Sequence, residues 1–143
     1  MLKRSLGLAA AFTLALSASA LAAAKTGSYS GTSSNKEIYL YGDIEPRTDK
    51  GKVTFSVKSS PKRVVNFKLK DQQFMCGPGP HVVPVTVAKM KLNSSGRGKG
   101  TYKDPNVGEF KVAIKVTSTG RASGTITPVG LCSGVGKFSA KRR

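Results

Sequence analysis

Alternation with period two is the feature that most narrows what this chain can become. Phe110, Val112, Ile114 and Val116 alternate with Glu109, Lys111, Ala113 and Lys115. Val53, Phe55 and Val57 alternate with Lys52, Thr54, Ser56 and Lys58, and Val65, Phe67 and Leu69 with Asn66, Lys68 and Lys70. Val83, Val85 and Val87 supply a further apolar face. Successive side chains of a strand point to opposite faces, so each run predicts one buried and one wet face. That pattern belongs to antiparallel sheets. Shorter strand candidates are Ile38–Tyr41, Lys89–Leu92, Gly100–Lys103, Arg121–Thr127 and Gly136–Lys141. Turn-forming clusters separate them, among them Asp49-Lys50-Gly51, Gly77-Pro78-Gly79-Pro80, Asn93-Ser94-Ser95-Gly96 and Ser118-Thr119-Gly120. No stretch beyond residue 25 has helical periodicity with a cap at both ends. The expectation is an all-β fold, an antiparallel β-sandwich, with a small β-barrel as the alternative. The apolar parity slips between Val87 and Met90, which predicts a bulge or break near Ala88. Gly27–Thr32, Gly96–Thr101 and Gly120–Thr125 share a Gly-x-x-x-Gly-Thr pattern that reads as a recurring strand entry.

The first 24 residues follow a different rule. Lys3 and Arg4 precede an apolar run from Leu6 to about Leu16, and Ser17 to Ala24 are small apart from Leu21. A charged start, an apolar core and an A-x-A-like site make residues 1–24 a cleavable signal peptide, cut after Ala20, Ala22 or Ala24. A membrane anchor fits less well, because the apolar run falls short of the roughly 20 residues a spanning helix needs. Residues 25–143 then form a single antiparallel β domain of about 120 residues, enough for one modest core. The expected location is secreted and extracellular.

Charge and cysteine content bound the function. The chain carries 24 Lys and Arg against 7 Asp and Glu, a formal net charge of +17. A field of that size attracts anionic partners and slows encounters with cations. Cys76 and Cys132 are the only cysteines, and in an exported chain an even count reads as a disulfide. Metal-binding or catalytic thiols are the rival reading, but no C-x-x-C is present and His81 is the single histidine.

The mature chain resembles an uncharacterised group of small secreted bacterial β-sandwich proteins. The resemblance rests on Tyr29–Thr32, on Val64-Val65-Asn66-Phe67 leading to Cys76, and on Cys132-Ser133-Gly134 with Phe138, Ala140 and Arg142. Glu37–Gly51 looks inserted relative to the group, and Phe138 stands where the group would carry Trp. The resemblance implies a sandwich fold and an extracellular location, and no activity.

Candidate chemistry is sparse. Glu37, Asp43, Glu45 and Asp49 could bind Ca²⁺ or provide a glycosidase pair, yet no Asp-x-Asp-x-Asp-Gly spacing appears and no second acidic cluster stands opposite. His81 and Ser133 lack a G-x-S-x-G elbow. No catalytic residue, metal site or cofactor is therefore assigned. The loop from Asn93 to Lys103 holds Gly96, Gly98 and Gly100 between Arg97 and Lys99, where glycine amides and two cations together could cradle an anion; a plain hairpin is the other reading. Lys111 and Lys115 lie on the polar side of the following strand. The anion-binding expectation thus names Arg97, Lys99, Lys103, Lys111 and Lys115, with an anionic envelope polymer or acidic polysaccharide as partner. Nucleic acid is disfavoured because Tyr39, Tyr41 and Tyr102 are the only aromatics placed among the charges. Two alternatives stand beside this reading: an interaction module whose charge serves solubility, and a small hydrolase using the Glu37–Asp49 acids.

Overall fold

A computed structural model of the chain describes residues 23–35 and 50–143, and all regular structure among them is β. The eleven strands are β1 (Gly27–Ser34), β2 (Lys50–Lys58), β3 (Arg63–Lys70), β4 (Gln73–Cys76), β5 (Gly79–Val82), β6 (Val85–Lys91), β7 (Arg97–Asp104), β8 (Gly108–Val116), β9 (Arg121–Gly130), β10 (Cys132–Ser133) and β11 (Gly136–Arg142). Eight of them make one sheet in the order β6-β3-β2-β1-β11-β9-β8-β7, every pairing antiparallel. Neighbours in that sheet follow one another along the chain, apart from excursions into β4–β5 and β10. The exception is β1 against β11, which brings the two ends of the described chain together. This is an up-and-down meander curled nearly into a barrel.

The seam lies between β6 and β7. A Cβ placed on Gly100 would stand 2.6 Å from the Val87 side chain and 2.8 Å from Met90, so only a residue without one lets β6 lean over β7. Gly98 meets Leu92 in the same way, at 2.9 Å. These glycines are needed for closure.

The long strands turn most of their apolar residues inward. Tyr29, Phe67, Phe74, Phe110, Val53, Leu69, Val85 and Ile126 are fully buried. Rings run through the interior: Tyr29 stacks on Phe55 at 4.9 Å, Phe55 lies 6.0 Å from Phe67, and Phe67 lies 5.4 Å from Phe138. The interior is packed with side chains, as in small barrels that hold no ligand. Lysine, threonine and every strand serine but the buried Ser33 keep off the core, the reverse of the apolar outer band that a membrane-spanning barrel presents to lipid.

Both ends are covered. At one, β10-β4-β5 form a separate three-stranded sheet. Cys76 lies directly opposite Cys132 in that sheet, and the two are bonded with their Cα atoms 3.9 Å apart, so the expected disulfide is present. Phe74 from β4 packs on Phe110 at 5.0 Å, and the Ser33 hydroxyl donates to Gln72 Oε1 at 2.6 Å beneath the same cap. At the opposite end the residues before β1 act as a plug. Ala24 is buried, its carbonyl accepts from Lys62 Nζ at 2.8 Å, and the Lys25 carbonyl accepts from the Tyr29 hydroxyl at 2.6 Å.

Two expectations change in detail and a third holds. β6 runs unbroken past Ala88 and pairs with β3 without a register shift; the irregularity sits on β3, where Asn66 takes φ 53° and the β2–β3 register slips between Thr54 and Ser56. β3 slips parity at Asn66 just as β6 does across from it, so Val64, Phe67 and Leu69 are buried with Val85, Val87 and Met90, while Val65, expected on the inner face, is only half-buried and Val64 takes the inner position. Secondly, Gly77–Pro80 is more than a turn, since Gly79 and Pro80 begin β5. Thirdly, the three Gly-x-x-x-Gly-Thr segments do open strands, each with its first glycine at positive φ. The candidate strand Ile38–Tyr41 and the acids Glu37, Asp43, Glu45 and Asp49 lie outside the described residues.

Candidate anion-binding surface

The β7–β8 hairpin carries all five cations named from the sequence. Arg97, Lys99 and Lys103 are exposed on β7, and Lys111 and Lys115 on β8. The register then sorts them. Arg97 faces Lys115, Lys99 faces Ala113, Thr101 faces Lys111, and Lys103 faces Glu109. Two cations held directly opposite each other repel, a cost that a bound anion would relieve. Lys103 instead has a carboxylate as its cross-strand neighbour and belongs to the less basic end of the hairpin. Asp104 lies at that end too. Its Oδ1 accepts from the amides of Asn106, at 2.8 Å, and Val107, at 3.2 Å. Burial raises the Tyr102 phenol above its ordinary value, and the neighbouring Asp104 carboxylate raises it further.

Around Arg97, Lys99 and Lys115 the outer surface is hollowed. Ala113 on β8, with Ser123, Gly124 and Thr125 on β9, is short enough to leave a depression of about 720 Å³ between the long cationic side chains. Lys91 from the end of β6 and Asn93 from the following loop complete its rim. Sequence spacing alone could not place Lys91 there, because its approach depends on closure at the β6–β7 seam.

The glycine-rich loop works differently from the expected anion cradle. Asn93 Oδ1 accepts from the Ser95 amide and the Arg97 amide, each at 3.0 Å, and from the Ser95 hydroxyl at 2.7 Å. The Gly96 amide donates to the Asn93 carbonyl at 3.0 Å. These amides are therefore already occupied. Gly98 and Gly100 belong to the β7–β8 ladder, and their missing side chains make room for β6. What the loop offers an anion is its cationic side chains.

The other sequence candidates stay apart. His81 is exposed on β5, paired across from Phe74, and Ser133 is exposed on β10 opposite Met75. Among the described residues no three His, Cys, Asp or Glu side chains come together as a metal site, and no helix is long and apolar enough to cross a membrane.

Basic residues that sequence reading left out lie on the same outer surface. Arg121 on β9 pairs with Lys141 on β11, and Thr125 pairs with Lys137. Comparison with protein-family models, with curated proteins and with solved structures finds no match to this chain.

Proposed function

We propose that this is a secreted, non-enzymatic protein that binds an anionic polymer of the cell envelope or its surroundings through the outer face of the barrel. The observation that carries the reading is the cross-strand pairing of Arg97 with Lys115 beside a depression that Lys91 and Lys99 also border. Cations clustered around small side chains gain more from a multivalent anion than from separate small ions, because each contact releases condensed counterions from the polymer. The disulfide is compatible with an extracellular setting, where such bonds persist. The leader-like residues 1–24 and the resemblance to small secreted β proteins support the same location.

The test is affinity for a polyanion, measured across several salt concentrations. The parent protein should bind with a steep loss of affinity as salt rises, and the triple variant R97S/K99S/K115S should bind more weakly with a shallower slope. Equal affinity and equal slope would remove the hairpin from the reading. A second reading, an interaction module, is favoured by the exposed apolar side chains Val82, Val129, Leu131 and Val135 on β5, on β9 and around β10. Binding to a protein partner that ignores salt would favour it over the first.

A further inference from the structure

The depression at the hairpin does not end there. Ser123 belongs both to it and to a second depression, which Arg121 and Lys141 border. Thr32 and Ser139 in turn belong both to the second and to a third, bordered by Lys50 and Lys137. The register shows why they join. Lys115 faces Ser123, Ser123 faces Ser139, Ser139 faces Thr32, and Thr32 faces Lys52. A single cross-strand row therefore runs from β8 to β2, with hydroxyl side chains in its middle and cations at each end. Two residues along β11 from Ser139, Lys137 flanks the row on one side, and Lys141, paired with Arg121, flanks it on the other.

We infer that this furrow is the binding track for a linear acidic polysaccharide, a chain of uronic-acid sugars laid across the strands. The inference rests on the polyanion reading above and deepens it. Its chemistry separates the possible polymers. A polyphosphate needs cations alone. A uronate chain brings both carboxylates, for the rim, and sugar hydroxyls, which both donate and accept and so match a floor of Ser and Thr. Single-stranded nucleic acid wants aromatic platforms for its bases. Among the described residues no exposed aromatic lines the furrow: Phe138 borders the third depression but is buried, as are Tyr29, Phe55, Phe67, Phe74 and Phe110. Strands lie about 4.8 Å apart, so the floor from β8 to β1 spans roughly 14 Å and holds about three sugar units, with about one more against the cations at each end.

Defined oligogalacturonates of two to eight units are the probe, titrated at low and moderate salt, with polyphosphate and a single-stranded oligonucleotide of equal charge as comparisons. Affinity should rise with length and level off near five units. R121S/K141S removes cations that lie outside the hairpin, on β9 and β11, and S139L fills the centre of the furrow without changing charge. Each should weaken binding about five- to tenfold, as loss of a few screened contacts would, while the melting temperature stays near the parent's. If R97S/K99S/K115S weakens binding but R121S/K141S and S139L do not, the hairpin binds alone and the furrow is refuted. Tighter binding of polyphosphate or the oligonucleotide would refute the sugar. An absence of binding to every polyanion would overturn the underlying reading as well.

Discussion

Removal of the disulfide gives the clearest test of how this barrel is held together. Cys76 and Cys132 are separated by 56 residues, and that loop contains β5 to β9 entire. Restricting an unfolded chain by a cross-link of this span is worth about 4 kcal/mol in the chain-entropy account. Unfolding entropy of about 2.1 cal/mol/K per residue gives roughly 0.25 kcal/mol/K for a domain of about 120 residues, so the bond should be worth roughly 15 °C in Tm. The double variant C76A/C132A is the right perturbation, since both side chains are buried and serine would add hydroxyls to an apolar site. Thermal and urea melts followed by circular dichroism should show one transition, moved down by that amount. The urea m-value should also rise, because an unfolded chain free of the cross-link exposes more surface. A Tm within about 3 °C of the parent's would refute the argument, since a shift that small is under 1 kcal/mol for a domain of this size. Two separated transitions would refute it differently, by showing that the three-stranded cap melts apart from the barrel.

The remaining predictions are more local. On the proposed export, the mature protein should begin after Ala20 or Ala22, because cleavage after Ala24 would remove a buried residue and the carbonyl that Lys62 holds; mass spectrometry of the protein in the culture medium decides this, and an intact Met1 or a start at Lys25 would contradict it. Tyr29→Phe should cost about 1 kcal/mol through the lost hydrogen bond to the Lys25 carbonyl. Burial raises the Tyr29 phenol above its ordinary value, with Arg142 opposing, so its contribution is complete below about pH 10 and lost as pH rises through the raised folded value. Stability of Y29F should accordingly decline less steeply above pH 10 than the parent's, and parallel pH profiles would count against this role. Phe67→Ala empties the centre of the ring stack and should cost about 3–5 kcal/mol in a urea melt. Gly100→Val should destabilise by at least about 1–3 kcal/mol, since the added carbons would meet Val87 and Met90 at the seam; an unchanged melt would mean the seam opens at no cost.

The strands with clean alternation were legible because one face of each is buried and the other wet. Phe110 to Val116 is the plainest example, and it forms most of β8 as read. Sandwich and barrel could not be told apart, because alternation describes a strand's two faces and says nothing of whether the sheet's outer edges meet. That depended on Gly98 and Gly100, whose absent side chains look in sequence like loop chemistry and act in space as clearance for β6. β4 and β10, at four residues and two, are too short to show a period. The candidate site was half legible. Lys111 and Lys115 share a face by even spacing alone, but register decides that Arg97 meets Lys115 while Lys103 meets Glu109. No local signal marks Ser123, Ser139 and Thr32, which are ordinary outward residues until two ladders set them side by side.

The pairing of β1 with β11 governs when the protein can form. Tyr29 is matched to Arg142 and Ser34 to Lys137, so the first described strand finds one of its two partners only near the end of the chain. A chain emerging from its N-terminus, whether from a ribosome or through a membrane pore, holds β1 with one ladder edge unsatisfied until β11 arrives. Native closure is thereby postponed to the end of synthesis or passage. Contacts so distant in sequence make for slow folding, on the millisecond-to-second scale typical of β proteins. The β1–β11 ladder thus makes the final strand the one that completes the sheet.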